Sequence, residues 1–160
     1  MEITLIAAVA RNRAIGYENK LLYHIREDMR RFKSLTTGHT VLMGRRTFES
    51  LPKGALPNRR NIVISRTHKS FEGCDVFSSL EEALCACGND EKVFVMGGAL
   101  VYEQTLPLAH RLCLTEIDDI PERADAYFPE FSGWVKEKEE RWGKDENHPH
   151  AFAFIDYVRG

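Results

Sequence analysis

The sequence predicts an α/β domain: a mostly parallel central sheet of about eight strands, helices on both faces, and an antiparallel C-terminal hairpin at its edge. Three observations predict it. Short apolar runs alternate with amphipathic helical segments through residues 2–117. Glycines stand where an apolar run turns into a helix, at Gly44 and at Gly97 with Gly98. Beyond residue 130 the segments GWVKEKEERW and HAFAFIDYVRG alternate apolar and polar positions, as half-exposed antiparallel strands do.

Each element has its own justification. EITLIAAVA is apolar enough for a central strand, and a long loop with Gly16 at its start follows. A helix is expected over about 26–37, stopped by Gly38 in a position that favours a left-handed backbone. TVLMG reads as a short buried strand, and RRTFESL as a short helix ended before Pro52. RNIVIS is a further buried strand and DVFS a shorter one. SLEEALCACG carries a serine N-cap, two acids in the first turn and a closing glycine, so it reads as a helix. KVFVMGG is a strand ending on two glycines, ALVYEQTLP a helix ended by Pro107, and RLCLTEID a strand. No repeat, low-complexity tract or linker interrupts the pattern, so residues 1–160 read as a single domain.

The bulk properties narrow the function classes. A chain of 160 residues with 43% apolar content suits one globular domain, which buries roughly 70% of the surface its unfolded chain exposes. The net charge of −2 and a pI near 6.3 lack the basic footprint of a nucleic-acid binder. No stretch approaches the roughly 20 apolar residues of a membrane helix. The N-terminal run has an acid at position 2 and no basic flank, so it reads as a strand rather than a signal peptide. Cys74, Cys85, Cys87 and Cys113 form no pair of C-x-x-C knuckles. They read as reduced, mostly buried thiols of a cytoplasmic protein. His148 and His150, flanking Pro149, read as ordinary loop histidines rather than metal ligands.

The stretch LYHIREDMRRFK holds an acid in an unexpected place. At about 100° per residue, Ile25, Met29, Phe32, Leu35 and Thr36 fall on one arc, and Arg26, Glu27, Arg30, Arg31, Lys33 and Ser34 fall opposite. Asp28 lies inside the apolar arc, between Phe32 and Leu35, whereas Glu27 falls on the wet side. A carboxylate facing a core or cleft either rises in pKa or is held ionised by hydrogen-bond donors, and both outcomes mark active sites. The competing reading is an acid in a first helical turn, stabilised by free N–H groups and the dipole. Helical phase alone leaves both open.

Phosphate-binding signals recur at strand ends. Gly44, Arg45, Arg46 and Thr47 stand where a buried strand becomes a helix. A second buried strand ends in Ser65, Arg66 and Thr67, and Gly97 with Gly98 opens another helix. Each signal alone is also an ordinary turn. Together they point to a ligand with several phosphates. Neither a P-loop nor a G-x-G-x-x-G fingerprint is present.

Taken in order, LIAAVARNRAIG, EDMRRFK, VLMGRRTFESL, LPNRRNIVIS, VFVMGGALVYEQTLP, LCLTEID and DAYFP resemble the dihydrofolate reductase family of bacterial type, over essentially the whole chain. The resemblance implies NADPH-dependent reduction of 7,8-dihydrofolate to 5,6,7,8-tetrahydrofolate. It makes Asp28 the carboxylate that binds the pterin and assists protonation of the imine, with Thr115 in its hydrogen-bond network. Tyr23 and Leu21 complete the implied catalytic set. Ile6, Ala7, Ala8, Met29, Phe32, Leu51 and Leu56 become the apolar walls around the substrate. Arg59 becomes the partner of the glutamate tail's α-carboxylate, assisted by Lys33. Gly44, Arg45, Arg46 and Thr47 match cofactor phosphate contacts, and Ser65 and Arg66 match the group around the adenosine 2′-phosphate. Gly97 and Gly98 match a pair joined by a cis peptide beside the cofactor, followed by Ala99, Leu100 and Val101. Met96 and Tyr102 match residues beside the nicotinamide. Ile15, Gly16, Asn19 and Leu21 belong to the mobile loop that closes over it. Diaminopyrimidine and pteridine antifolates, and a monomeric protein, follow from the same resemblance.

The chain departs from the family pattern in places. Many members read Pro-Trp where this chain has Leu22-Tyr23, and Leu-Pro where it has Ile25-Arg26. Tyr23 keeps an aromatic body and a polar tip, so it is expected to replace in part the tryptophan that orders a water near the substrate. The segment from Asp118 to Asp125 is about one residue longer than in some members. Two alternatives compete: a pyrimidine reductase of riboflavin synthesis, and a non-catalytic nucleotide-binding domain. The Asp28 helix and the Arg59 segment favour the folate enzyme.

Overall fold

The computed structural model describes residues 1–68 and 70–160. In chain order the elements are β1 (Glu2–Val9), β2 (Ala14–Tyr17), β3 (Lys20–Leu21), α1 (Arg26–Thr36), β4 (Thr40–Gly44), α2 (Arg45–Glu49), β5 (Arg60–Ile64), β6 (Cys74–Phe77), α3 (Leu80–Cys85), β7 (Lys92–Val95), α4 (Ala99–Thr105), β8 (Arg111–Ile117), β9 (Ala126–Tyr127), β10 (Trp134–Trp142) and β11 (Phe152–Arg159). Eight strands form one sheet in the order β10-β11-β8-β1-β7-β4-β5-β6. The ladders from β8 across to β6 are all parallel. β11 runs antiparallel to β8, and β10 antiparallel to β11, which is the expected C-terminal hairpin.

Side chains alternate across a strand, so each strand feeds both faces of the sheet. On one face Ile3, Leu5, Val9, Leu42, Ile62, Val93, Val95, Leu112 and Leu114 pack with Ala83 of α3 and with Val101 and Tyr102 of α4. On the other face Ile6, Val41, Met43, Val63, Phe94 and Cys113 pack with Phe32 and Leu35 of α1 and with Phe48 of α2. A third cluster, Ile117, Phe152 and Phe154, gathers Ala8, Tyr23, Ile25 and Trp142 near the start of α1. Phe128 is fully buried between Tyr102 and Phe131, with ring centroids 4.9 and 5.8 Å away. The segment after β9 is thereby anchored in the core.

Element ends follow local chemistry. α1 stops where Thr37 donates back to the Lys33 carbonyl and Gly38 adopts φ +84°, as expected. Ser79 caps α3 by accepting a hydrogen bond from the Glu82 N–H. Gly88 does not end that helix; it stops at Cys85 with Ala86 in right-handed conformation. Pro107 does not end α4 abruptly either, because the chain tightens into a 3-10 turn over Leu106–Leu108.

The segment after β1 is more ordered than the long loop expected. β2 pairs with β3 on one side and β9 on the other, forming a separate three-stranded sheet. The Asp125 N–H donates to the Gly16 carbonyl at 3.0 Å, the Glu18 N–H donates to Asp125 Oδ2 at 3.0 Å, and Phe128 and Arg13 bond in both directions.

Candidate active site

Residue parity on β8 and β11 decides what faces α1. Cys113, Thr115 and Ile117 lie on one face of β8, and Phe154 and Asp156 stand opposite Thr115 and Cys113 in the β11 ladder. α1 crosses this face. Asp28, in its first turn, accepts a hydrogen bond from the Thr115 hydroxyl, and Thr115 itself is 1% exposed. Burial pushes the Asp28 carboxyl above its ordinary pKa, against the lowering influence of Thr115 and of Arg31. Burial thus raises the proton affinity of this carboxyl, the direction that suits a proton-assisting group. Tyr102 reaches in from α4, its hydroxyl donating to the Ile6 carbonyl at 2.7 Å. Burial first, and the nearby Asp28 charge second, keep that phenol protonated.

The apolar walls assemble around Ile6. Phe32, Leu51, Leu56 and Met96 pack on the same cluster as Ile6, and Ala8 shares the α1 face of β1. Ala7 does not line this wall with its side chain. It is one residue out of phase with Ile6 and Ala8 and packs toward α3 and α4. Met29 is 57% exposed and belongs to none of the packed apolar clusters. Only Thr36 of α1 is fully buried, so the first turn is seated more shallowly than the last.

Arg59 is held by its own surroundings. Its Nε donates to the Pro57 carbonyl at 2.9 Å and its Nη1 to the Thr36 hydroxyl at 3.1 Å. Among the described residues it forms no salt bridge, so a pre-positioned guanidinium is available to an incoming carboxylate. Lys33 is exposed on the same helix.

A glycine cradle lies across the sheet from these groups. The Gly44 N–H donates to the Gly97 carbonyl at 2.9 Å, and the Gly97–Gly98 peptide is cis. A Cβ on Gly44 would stand 3.3 Å from Val101, and one on either Gly97 or Gly98 would stand 3.4 Å from the Thr47 hydroxyl. Gly44, Thr47, Gly97, Gly98, Val101 and Tyr102 thus converge, with Ala99 and an exposed Leu100 opening α4. The absence of side-chain bulk at three backbone positions beside a hydroxyl fits close approach of a phosphorylated cofactor. Arg45 is turned aside to Glu49 at 3.0 Å. Arg46 and Arg66 are exposed, and among the described residues neither forms a salt bridge. Ser65 is buried at the end of β5, where its hydroxyl accepts from the His68 N–H at 3.0 Å and shapes the turn that carries Arg66.

The loop residues reach the cradle. Asn19 donates to the Arg46 carbonyl at 2.9 Å, Gly16 pairs with Leu21, Ile15 packs on the core, and Leu21 is 61% exposed.

Several contacts were not foreseen from sequence. Tyr23 does not present its polar tip to the Asp28 side; its hydroxyl donates to Asp119 Oδ2 at 2.7 Å, and its ring meets His150 edge-on at 5.8 Å. Burial and the Asp119 carboxylate hold this phenol protonated. Glu27 does not lie on an open wet face. Its side chain is 17% exposed because His148 Nε2 sits 2.6 Å from Glu27 Oε1, while His148 Nδ1 faces Asp145 at 2.8 Å. His148 is accordingly a buried, paired residue and not an ordinary loop histidine. Arg31, also expected to be solvated, pairs with Asp156 at 2.5 Å. The described residues contain no group of His, Cys, Asp or Glu suited to a metal ion, and all four cysteines are free.

Comparison with known proteins agrees with this geometry. A family profile described as dihydrofolate reductase matches residues 2–159. The dihydrofolate reductase of Bacillus subtilis (strain 168) is 43% identical over 160 residues, covering 98% of this chain and 94% of that protein. That of Neisseria meningitidis serogroup A is 44% identical over 162 residues, covering 99% of each chain. The solved structure of the Enterococcus faecalis dihydrofolate reductase complexed with NADP(H) and RAB-propyl superposes with a TM-score of 0.90 at 31% identity, covering 99% of this chain and 96% of that one. On a match this complete, the chain belongs to the dihydrofolate reductase family.

Proposed function

We propose that this protein reduces 7,8-dihydrofolate to 5,6,7,8-tetrahydrofolate with NADPH, and that Asp28 is the residue that binds the pterin and assists its protonation. The family membership carries the overall reaction. The observation that supports the assignment of Asp28 is the Thr115–Asp28 hydrogen bond on a partly buried face, with the carboxyl above its ordinary pKa.

NADPH, when bound, supplies the hydride that the imine carbon receives, leaving NADP+ as the oxidised product. The residues of the chain do the rest. Asp28 accepts hydrogen bonds from the pterin amino group and ring N–H, and raises the basicity of the imine nitrogen, which takes the proton. Thr115 fixes the orientation of the carboxylate. Ile6, Phe32, Leu51, Leu56 and Met96 exclude water from the ring. Arg59 binds the α-carboxylate of the glutamate tail. Gly44, Thr47, Gly97 and Gly98 receive the cofactor backbone, with Arg46 and Arg66 available to phosphates. Diaminopyrimidine antifolates would present paired N–H donors to the same Asp28 carboxylate. The free thiols support a cytoplasmic setting, and the charged edge strand β10 supports a monomer in which residues 1–160 act as one domain.

The test is a spectrophotometric assay of NADPH oxidation with dihydrofolate, using the wild type and Asp28→Asn. The wild type turns over. Asp28→Asn folds, loses most activity near neutral pH, and recovers part of it at low pH as protonated substrate becomes available. Absence of turnover by the wild type would sink the reaction assigned; an Asp28→Asn enzyme equal to wild type at every pH would sink the role of Asp28.

A further inference from the structure

Arg31 and Asp28 are three positions apart on α1, a spacing at which side chains are neighbours on one helix surface, about 5–6 Å between Cβ atoms. Left to helical phase, the Arg31 guanidinium could fold back onto the Asp28 carboxylate. The structure holds it elsewhere. Arg31 Nη2 lies 2.5 Å from Asp156 Oδ1 on β11, and its Cζ sits 4.8 Å over the Phe154 ring. The two side chains are 19% and 16% exposed, so the pair is shielded from competing ions. The β11–β8 register sets Phe154 beside Thr115 and Asp156 beside Cys113. Two polar contacts therefore run side by side between α1 and the sheet, Arg31 to Asp156 and Thr115 to Asp28.

We propose that Asp156 is a positioning residue for the reaction: it holds the Arg31 guanidinium against β11 and so withholds that cation from Asp28, one helical turn away. The inference rests on the reading of Asp28 as the proton-assisting carboxylate. The groups that face Asp28 are few. Thr115 comes from β8, Tyr102 from α4 and Arg31 from the next turn of α1, while Asp156 of β11, paired in register with Cys113, engages Arg31. Glu27, its neighbour on α1, is engaged by His148 from the segment between β10 and β11. Among the described residues Arg31 is the one cation whose charge acts on Asp28. A carboxylate that gained a full ion pair would hold its charge to lower pH and lend less basicity to the imine. Asp156 prevents that by giving Arg31 a partner of its own at 2.5 Å.

The experiment is the single-turnover rate of dihydrofolate reduction as a function of pH, read at the limb where the rate falls as pH rises. Asp156→Asn frees Arg31, and the limb moves down by about one pH unit, so the rate is about tenfold lower above it and unchanged below it. Arg31→Gln moves the limb up, the double variant Arg31→Gln/Asp156→Asn matches Arg31→Gln because the freed cation is gone, and Asp156→Glu preserves the wild-type limb. A limb unmoved in Asp156→Asn overturns the proposal, and so does a double variant whose limb still falls with that of Asp156→Asn. Should Asp156→Asn fail to fold, a limb unmoved in Arg31→Gln overturns it as well. A limb that ignores Asp28→Asn overturns the reading of Asp28 and this inference with it. A limb that responds to Asp28→Asn but ignores Asp156→Asn overturns this inference alone.

Discussion

Glu27 and Asp28 are consecutive residues of α1 that belong to different networks: Glu27 pairs with His148 of the β10–β11 segment, and Asp28 pairs with Thr115 of β8. The roughly 100° step between them on the helix sends one carboxylate to the His148 clamp and the other to the buried Thr115 hydroxyl. The clamp fixes the turn from which Asp28 projects.

The clamp has a pH signature. The Glu27 hydrogen bond raises the His148 pKa, so this histidine adds stability below its ordinary value of about 6.5 and loses it as pH rises through the folded value. The His148 hydrogen bond lowers Glu27, and backbone N–H groups followed by His148 lower Asp145. Those acids contribute above their ordinary carboxylate values and lose that contribution as pH falls through the folded ones. The two windows overlap in mildly acidic solution. Thermal melts of wild type and His148→Gln should therefore differ most between the ordinary carboxylate values and about 6.5, and converge as pH rises through the raised folded value of His148. A constant difference across that range would count against the ion pair.

Tyr23→Phe removes a donor from Asp119, whose side chain is 30% exposed and can turn to water. The loss should be about 0.5–1.5 kcal/mol, a Tm decrease of about 2–4 °C per kcal/mol for a chain of this size. Calorimetry checks it, and an unchanged Tm would show that the hydroxyl does not tie the start of α1 to the β8–β9 segment.

Arg59→Ala deletes a guanidinium already oriented by Pro57 and Thr36. Charge-assisted hydrogen bonds are worth about 1.5–3 kcal/mol, so KM for dihydrofolate should rise by about one to two orders of magnitude while kcat changes little. A substrate analogue without the glutamate tail should not distinguish the variant from wild type. If kcat falls and KM holds, Arg59 acts on something other than the tail.

Gly97→Ala places a side chain at φ +122°, a backbone region almost restricted to glycine, with its Cβ 3.4 Å from Thr47 and 3.5 Å from Tyr102. Strain of this kind costs about 1–3 kcal/mol. The variant should melt lower and bind NADPH more weakly, both measurable by thermal shift with and without cofactor. A wild-type response to cofactor would remove Gly97 from the cradle.

Much of the fold and part of the site were legible in the sequence, for identifiable reasons. Asp28 stood out because helical phase separates neighbours, and its observed partner Thr115 confirms the side on which it lies. The buried strands were legible because fully apolar runs survive any register. The small sheet of β2, β3 and β9 was not, because strands of 2–4 residues are too short to display a period of two. Glu27 and Arg31 were assigned to solvent because their partners lie 121 and 125 residues away, beyond any local pattern. Ala7 was grouped with its neighbours by position in a motif, whereas pleating turns it to the opposite face.

The outermost strand has a consequence for the life of the protein in a crowded solution. β10 lies at the open edge of the sheet, and its residues 135–141 are all exposed, including Lys136, Glu137, Lys138, Glu139, Glu140 and Arg141 in unbroken succession. A foreign strand docking there would have to lay its side chains among charges of both signs, already partly satisfied by contacts such as Arg141 with Glu139 at 2.9 Å. At the opposite edge β6 offers only four residues. An eight-stranded sheet, whose open edges could pair with further strands, is thus closed at one end by charge and at the other by brevity, which guards the folded protein against aggregation through its own sheet.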